Sequence, residues 1–144
     1  MEEQKHIKLT RSEARKSAFM ILFEQSFRKD EPIDDIIQTA IELRAVKVDE
    51  YVQEAVLGAL SHSIAIAEYI DKYSIGWKSQ RISKVDKAIM TLAIYEMLFD
   101  DNVPVSVAIN EAVEISKEFS SNESSAFING ILGSVAKEAE QADG

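Results

Sequence analysis

The feature that most constrains the fold is an apolar stripe of helical period over residues 103–132. Small or apolar side chains recur there at steps of three and four, the spacing of one helix face, at Val105, Ala108, Ile109, Ala112, Val113, Ser116 and Phe119. After a serine-rich break the period resumes at Ile128, Ile131, Leu132, Val135, Ala136 and Ala139. The pattern predicts two amphipathic helices joined by a short turn, with Phe127 at the edge of the second stripe.

The other segments also carry helix signals. Thr10 and Glu13 match a capping box, and Asp49 and Ser83 stand where N-caps belong. The predicted helices run over residues 10–28, 33–45, 49–73, 83–99 and 104–119, and from the serine turn to about residue 139. Apolar residues cover most of the circumference of 83–99, so this helix is expected at the centre. The sequence predicts an all-α domain of about six main helices in two groups of three.

Composition agrees with this fold class and narrows the function. The chain has 144 residues, which suits one domain, and five glycines and two prolines favour helices over strands and turns. It contains no cysteine, no cleavable leader pattern and no apolar run long enough for a membrane span, so a soluble cytoplasmic protein is expected. A net charge of −9 argues against a large non-specific DNA binder and leaves a basic protein partner or a local basic patch.

Catalytic or metal-binding chemistry is hard to assemble from these residues. His6 and His62 are far apart, neither has a second histidine at metal-ligand spacing, and no glycine-rich loop follows a strand. The carboxylates of Glu111, Glu114 and Glu118 interleave with lysine, as on a solvated helix face. A non-enzymatic protein without metal or cofactor is therefore expected.

A small set of residues is a candidate for nucleic-acid contact. The cations cluster at the N-terminus, at Lys5, Lys8, Arg11, Arg15 and Lys16. They are explained equally well as a phosphate-binding patch or as a solvated helix start, although positive charge in a first turn opposes the helix dipole. Phe127 is either a base-stacking residue or an ordinary core phenylalanine, and Asn129 either reads a base edge or bridges backbone.

Several motifs in fixed order resemble the NusB family along nearly the whole chain. They are R-x-x-A-R-x-x-A-x-x-x-L-F from Arg11, W-x-x-x-R-I-x-x-V-D-K-A-I from Trp77, I-Y-E from Ile94, V-P-V-x-V-A-I-N-E-A-V-E from Val103 and F-I-N-G-I-L from Phe127. The resemblance implies a NusB-like helical bundle of two three-helix subdomains, here about residues 10–73 and 77–142. It also implies a non-enzymatic role in transcription antitermination complexes.

The resemblance further implies partners and contact residues. The family pairs with the small-subunit ribosomal protein NusE, and the heterodimer binds single-stranded boxA RNA of rRNA operon leaders, reaching other Nus factors and RNA polymerase indirectly. The RNA contacts are expected at Lys5, Lys8, Arg11, Arg15, Phe127 and Asn129. The partner contacts are expected at Phe23 and Asp86.

Two departures from the family pattern bear on affinity. The N-terminal arm carries Glu2, Glu3 and Glu13 among its cations, and the residues before Phe127 lack the basic side chain that some members have. Strong dependence on the partner is therefore expected. The alternatives are a helical adaptor or homodimer without RNA, and an RNA-binding module related to rRNA methyltransferases. A free-standing factor, with no catalytic domain after Gly144, is expected.

Overall fold

A computed structural model describes residues 8–74 and 82–143, and every regular element in them is an α-helix. The helices are α1 (Arg11–Gln25), α2 (Ile33–Glu42), α3 (Glu50–Ser61), α4 (Ser63–Ser74), α5 (Lys84–Phe99), α6 (Val105–Phe119) and α7 (Asn122–Asp143). The predicted all-α class is confirmed. Trp77, the first residue of one of the family motifs, lies outside the described residues, as does Lys5.

Helix α5 is the centre of the molecule, as its apolar circumference predicted. It buries nine residues and packs against α1, α3, α4, α6 and α7. Side chains from both predicted groups of three join one apolar core, including Ile21 and Ile36 from the first group and Ile94 and Leu132 from the second. The division into two subdomains stays a prediction.

The predicted helix starts are confirmed in detail. The Thr10 side chain accepts from the Glu13 N–H at 3.1 Å while the Glu13 carboxylate accepts from the Thr10 N–H at 2.9 Å. Asp49 caps α3 and Ser83 caps α5 through the same kind of bond to a backbone N–H. Each cap satisfies a helix N–H that would otherwise lack a partner.

The prediction of one long helix over residues 49–73 is wrong, because the chain breaks between α3 and α4 at His62. The His62 backbone leaves helical geometry, and its ring stacks on Phe99 with 3.8 Å between the ring centroids. The break changes the phase of the following helix. Ile66 and Ile70 therefore face the core, whereas Ile64, four residues after Leu60 in the same apolar period of the sequence, is 80% exposed.

Two helices also end earlier than predicted. Helix α1 ends at Gln25 rather than near Arg28, because the next residues bond at three-residue steps, as in the Arg28 N–H to the Gln25 carbonyl. Helix α2 ends at Glu42, and Arg44 then takes a left-handed backbone with φ of 57°. Left-handed backbone cannot continue a right-handed helix.

Candidate functional site

The start of α1 is tied to the start of α3 by one carboxylate. One oxygen of Asp49 caps α3 by accepting from the Val52 N–H at 2.9 Å, and the other accepts from the Leu9 N–H at 3.3 Å. The residue that caps α3 thus also holds the chain just before α1. Side chains in the first turns of these two helices are therefore placed in a fixed relation.

Arg15, expected as a surface cation beside Arg11, is buried, so that expectation is wrong. It is 5% exposed, and its Nε donates to both carboxylate oxygens of Glu96 at 3.0 and 2.9 Å. Its Nη1 lies 3.4 Å from the Glu111 carboxylate. A guanidinium held this way is part of the interior, and its expected role in RNA contact stays a prediction that the geometry weighs against.

Glu96 is the centre of a buried polar network beneath α1. The Tyr51 hydroxyl donates to Glu96 and lies 3.3 Å from an oxygen of Asp100. Burial raises the pKa of Glu96 above its ordinary value, while the Tyr51 hydroxyl and the Arg15 guanidinium lower it in part. Burial and the adjoining carboxylates also raise the pKa of Tyr51, so this hydroxyl remains a donor.

Arg11 is exposed and stacks on the same tyrosine. Its Cζ lies 3.8 Å from the centroid of the Tyr51 ring, which is within the range of a cation–π interaction. The stack forms one wall of a cleft of about 370 Å³ that Tyr95 and Asp100 also line. Lys8, three residues earlier, is exposed as well.

The remaining cation of the cluster is paired on the surface. The Lys16 Nζ lies 2.8 Å from the Glu118 carboxylate, and both side chains are close to half exposed. Beside this pair, the Ser12 hydroxyl donates to Glu111 at 2.6 Å. Of the described cations in the predicted cluster, only Lys8 and Arg11 are thus exposed and unpaired with a carboxylate.

Asp86, expected at the partner face, is a buried residue that organises the turn between α6 and α7. Its two carboxylate oxygens accept from the Ser120 hydroxyl at 2.9 Å and the Ser124 hydroxyl at 2.8 Å, and its own N–H donates to Ser83. It is 7% exposed. The sequence did not indicate this network, because the serines lie more than thirty residues further along the chain.

The start of α7 presents the other predicted RNA residues. Phe127 is half-buried and packs against the core, as an edge aromatic was expected to do. Asn129 is exposed. The stripe predicted for this helix is confirmed, since Ile128, Ile131 and Leu132 are buried.

Phe23 lies in a groove of about 390 Å³ whose walls come largely from α1 and α2. It stacks on Phe19 with 6.2 Å between ring centroids and meets Phe27 edge-to-face at 5.0 Å. Leu43, at the edge of the groove, is 74% exposed. The groove is an apolar surface open to solvent, so its geometry is compatible with a protein contact at Phe23.

The described residues show neither a metal site nor a membrane span. Over residues 8–74 and 82–143, acidic and histidine side chains form no group of three or more that could bind a metal ion. Within the same ranges, no helix has the length and apolar character needed to cross a membrane. The chemistry available at the site is therefore ionic, hydrogen-bonding and aromatic.

Comparisons with known proteins agree on one family. A model described as NusB family matches residues 12–137. The transcription antitermination protein NusB of Acetivibrio thermocellus is 44% identical over 128 residues, which are 88% of this chain and 88% of the relative. A solved structure of T. maritima NusB has a TM-score of 0.78 at 33% identity and covers 92% of this chain and 94% of that chain. A structure of the antitermination factors NusB and NusE in complex with dsRNA has a TM-score of 0.77 at 24% identity, covers 89% and 96%, and shares the fold.

Proposed function

The chain belongs to the NusB family, and we propose that it is a transcription antitermination factor that binds boxA RNA as a heterodimer with the ribosomal protein NusE. Its relatives carry the name transcription antitermination protein. The structural neighbour that contains NusB, NusE and dsRNA supports both partner classes.

The observation that carries RNA binding is the exposed guanidinium of Arg11, stacked on an aromatic ring at the start of α1. Phosphate oxygens accept from such a planar donor at two points. Lys8 adds a second exposed cation, while Phe127 supplies stacking and Asn129 an amide at the start of α7. Lys5 remains a proposed contact in the N-terminal arm, and Arg15 acts from beneath by holding Glu96.

We expect strong RNA binding to depend on NusE, because the chain has few cations that are proposed to contact phosphate. Three phosphate contacts on single-stranded RNA, at Lys5, Lys8 and Arg11, give a salt slope of roughly −2.1, which corresponds to weak binding at physiological salt. The body of the chain carries a net charge of −9, which suits a basic ribosomal protein electrostatically. In the heterodimer, cations of NusE add to the RNA contacts made at Arg11 and Phe127.

The proposed partner surface includes Phe23, in the groove beside α2, and the region around Asp86. Aromatic side chains that can fill a partner's pocket are the usual anchors of such contacts. Asp86 itself is buried and bonded to two serines. It acts on the partner face by fixing the backbone at the start of α5 and the neighbouring α6–α7 turn.

Binding of labelled boxA RNA, with and without the NusE protein of the same organism, tests the proposal. A scrambled single strand and a boxA duplex serve as controls. The pair is expected to bind single-stranded boxA much more tightly than either protein alone. Equal affinity for boxA and for the scrambled strand, with NusE present, contradicts the proposal.

An adaptor or homodimer that does not use RNA is the second candidate, favoured by the open apolar groove at Phe23. Sedimentation of the free chain separates the two. A stable dimer that buries this groove and binds neither NusE nor RNA supports the adaptor. We propose in addition that the protein has no catalytic activity, needs no cofactor and works in the cytoplasm, where its RNA and NusE are found.

A further inference from the structure

The Arg11 side chain is held by an aromatic ring rather than by a carboxylate. Its Cζ lies 3.8 Å from the Tyr51 ring centroid, and among the described residues no ion pair joins Arg11 to an acidic side chain. Asp100 and Glu54 line the same cleft. A guanidinium paired with a carboxylate would use some of its N–H donors in that pair, whereas a guanidinium stacked on a ring keeps its N–H donors available.

The Arg11 Cζ lies over the Tyr51 ring, and a contact of this kind leaves the edge of the guanidinium available. The five N–H donors of arginine lie in the plane of the group, so a ring that covers one face blocks none of them. A free arginine side chain loses rotamer entropy when it binds a phosphate. A side chain already restricted by stacking loses less, so its contact is stronger for the same hydrogen bonds.

The ring beneath Arg11 is itself held in place. Tyr51 is 8% exposed, and its hydroxyl donates to Glu96 and lies 3.3 Å from Asp100. Glu96 is held by both of its oxygens on Arg15. The first turn of α3, where Tyr51 lies, is capped by Asp49, which also holds Leu9 beside α1. The ring therefore has a fixed position relative to the start of α1.

We propose that Tyr51 is a positioning residue for RNA binding, which orients the Arg11 guanidinium toward an RNA phosphate without touching the RNA. The proposal rests on the proposed function, because it takes Arg11 as an RNA contact. The buried network of Arg15 and Glu96 then serves RNA binding indirectly, as the anchor of the tyrosine ring.

A double-mutant cycle of boxA binding, in the presence of NusE, tests this role. Arg11→Ala is expected to weaken binding and to reduce the salt slope by about 0.7, the loss of one phosphate contact. Tyr51→Leu is expected to weaken binding about 2–5-fold, the size of an exposed cation–π interaction. Tyr51→Phe keeps the ring but removes the hydroxyl that anchors it to Glu96, so its affinity is expected to lie between that of the parent and that of Tyr51→Leu.

The double variant Tyr51→Leu/Arg11→Ala distinguishes positioning from general structural damage. If Tyr51 acts through Arg11, the double variant binds as Arg11→Ala does. If Tyr51→Leu weakens binding by the same factor with and without Arg11, the proposal is overturned. Thermal unfolding of each variant sets the temperature at which all are folded.

Arg11→Lys keeps the test valid even if Tyr51→Leu does not fold, because Arg11 is exposed. Lysine retains the charge but lacks the planar stacking group, so boxA affinity is expected to fall about 2–5-fold with the salt slope unchanged. Parent-like affinity of Arg11→Lys overturns the proposal. Loss of the boxA preference over a scrambled strand in the parent contradicts the proposed function, whereas an intact preference with an inert Tyr51→Leu contradicts only the positioning role.

Discussion

Helix α5 buries one carboxylate near each end, and the two are satisfied by different chemistry. Glu96, 1% exposed, lies beneath the start of α1 and is paired with the Arg15 guanidinium. Asp86, 7% exposed, lies beneath the α6–α7 turn and is bonded to the hydroxyls of Ser120 and Ser124. Ten residues of helix place the two about 15 Å apart along α5.

The difference shows how one helix can support two proposed RNA-contact regions with distinct properties. The α1 region presents charge, since the ion pair below it anchors the ring that carries Arg11. The α7 region presents a half-buried aromatic, Phe127, and the Asp86 network at the start of the same helix includes no cation among the described residues. The contribution of the first region to RNA binding is therefore expected to weaken as salt concentration rises, whereas that of the second region is not.

The largest expected effect is loss of the buried guanidinium. Arg15→Leu leaves the Glu96 carboxylate buried without its cation, which costs about 3–5 kcal/mol of unfolding free energy. Arg11→Ala, one turn earlier and exposed, is the matched control and is expected to cost less than about 1 kcal/mol. Urea denaturation measures both. Equal losses of unfolding free energy from the two substitutions would contradict a larger contribution of the buried Arg15 guanidinium to stability.

Removing the other carboxylate is expected to cost less. Asp86→Ala deletes the acceptor of two serine hydroxyls and a negative charge at the start of α5, together about 1–3 kcal/mol. Among the described residues bonded to Asp86, none carries a positive charge that the substitution would leave unpaired. Ser124→Ala, which removes one of the two bonds, is expected to lose about half of that, again by urea denaturation. A loss as large as that of Arg15→Leu contradicts the contrast between the two regions.

The pH dependence of stability separates the two regions in another way. Burial raises the folded pKa of Glu96 above its ordinary value of 4.5, so its contribution to stability is full below that value and is lost as pH rises through the folded pKa. The unfolding free energy of the parent is therefore expected to fall relative to that of Glu96→Gln as pH rises from 4 to 7. A difference between the two proteins that stays constant with pH contradicts this expectation.

The smallest effect is expected at the surface pair beside the α1 region. Lys16→Ala breaks an ion pair whose two members are close to half exposed, so the change in unfolding free energy is expected to be less than about 1 kcal/mol. The salt slope of RNA binding is expected to stay the same, because Glu118 already neutralises this cation. A reduced slope would place Lys16 in the RNA contact.

The parts of the fold that sequence predicted are those fixed by neighbours in the chain. The caps at Thr10, Asp49 and Ser83 depend on residues three positions away, and the stripe of α7 depends on a repeated period. The stripe predicted for α6 is confirmed only in its middle, because Val105 and Phe119 are each 38% exposed and Ile115, which was not included, is buried. The break at His62 was missed because the apolar period continues across it. The ring on which His62 stacks at the break, Phe99, lies thirty-seven residues further along the chain.

The site was predicted less completely for the same reason. The period of α1 places Arg15 at the border of the buried face, where an arginine is normally exposed. Its burial depends on Glu96, eighty-one residues away, which had entered only as the last letter of the I-Y-E motif. The contact between Tyr51 and Arg11 could not be predicted from the sequence, because the ring lies on α3 and the guanidinium lies on α1. Such pairings appear only when the helices are packed.

The salt dependence of boxA affinity, compared between Arg11→Ala and Phe127→Ala with NusE present, tests the contrast between the two regions most directly. Arg11→Ala is expected to reduce the slope of log affinity against log salt by about 0.7. Phe127→Ala is expected to lose about 1–3 kcal/mol of binding free energy, a stacking contribution, with the parent slope retained. Equal changes of slope in both variants, or parent-like binding by Phe127→Ala, would contradict a charged region at α1 and a stacking region at α7.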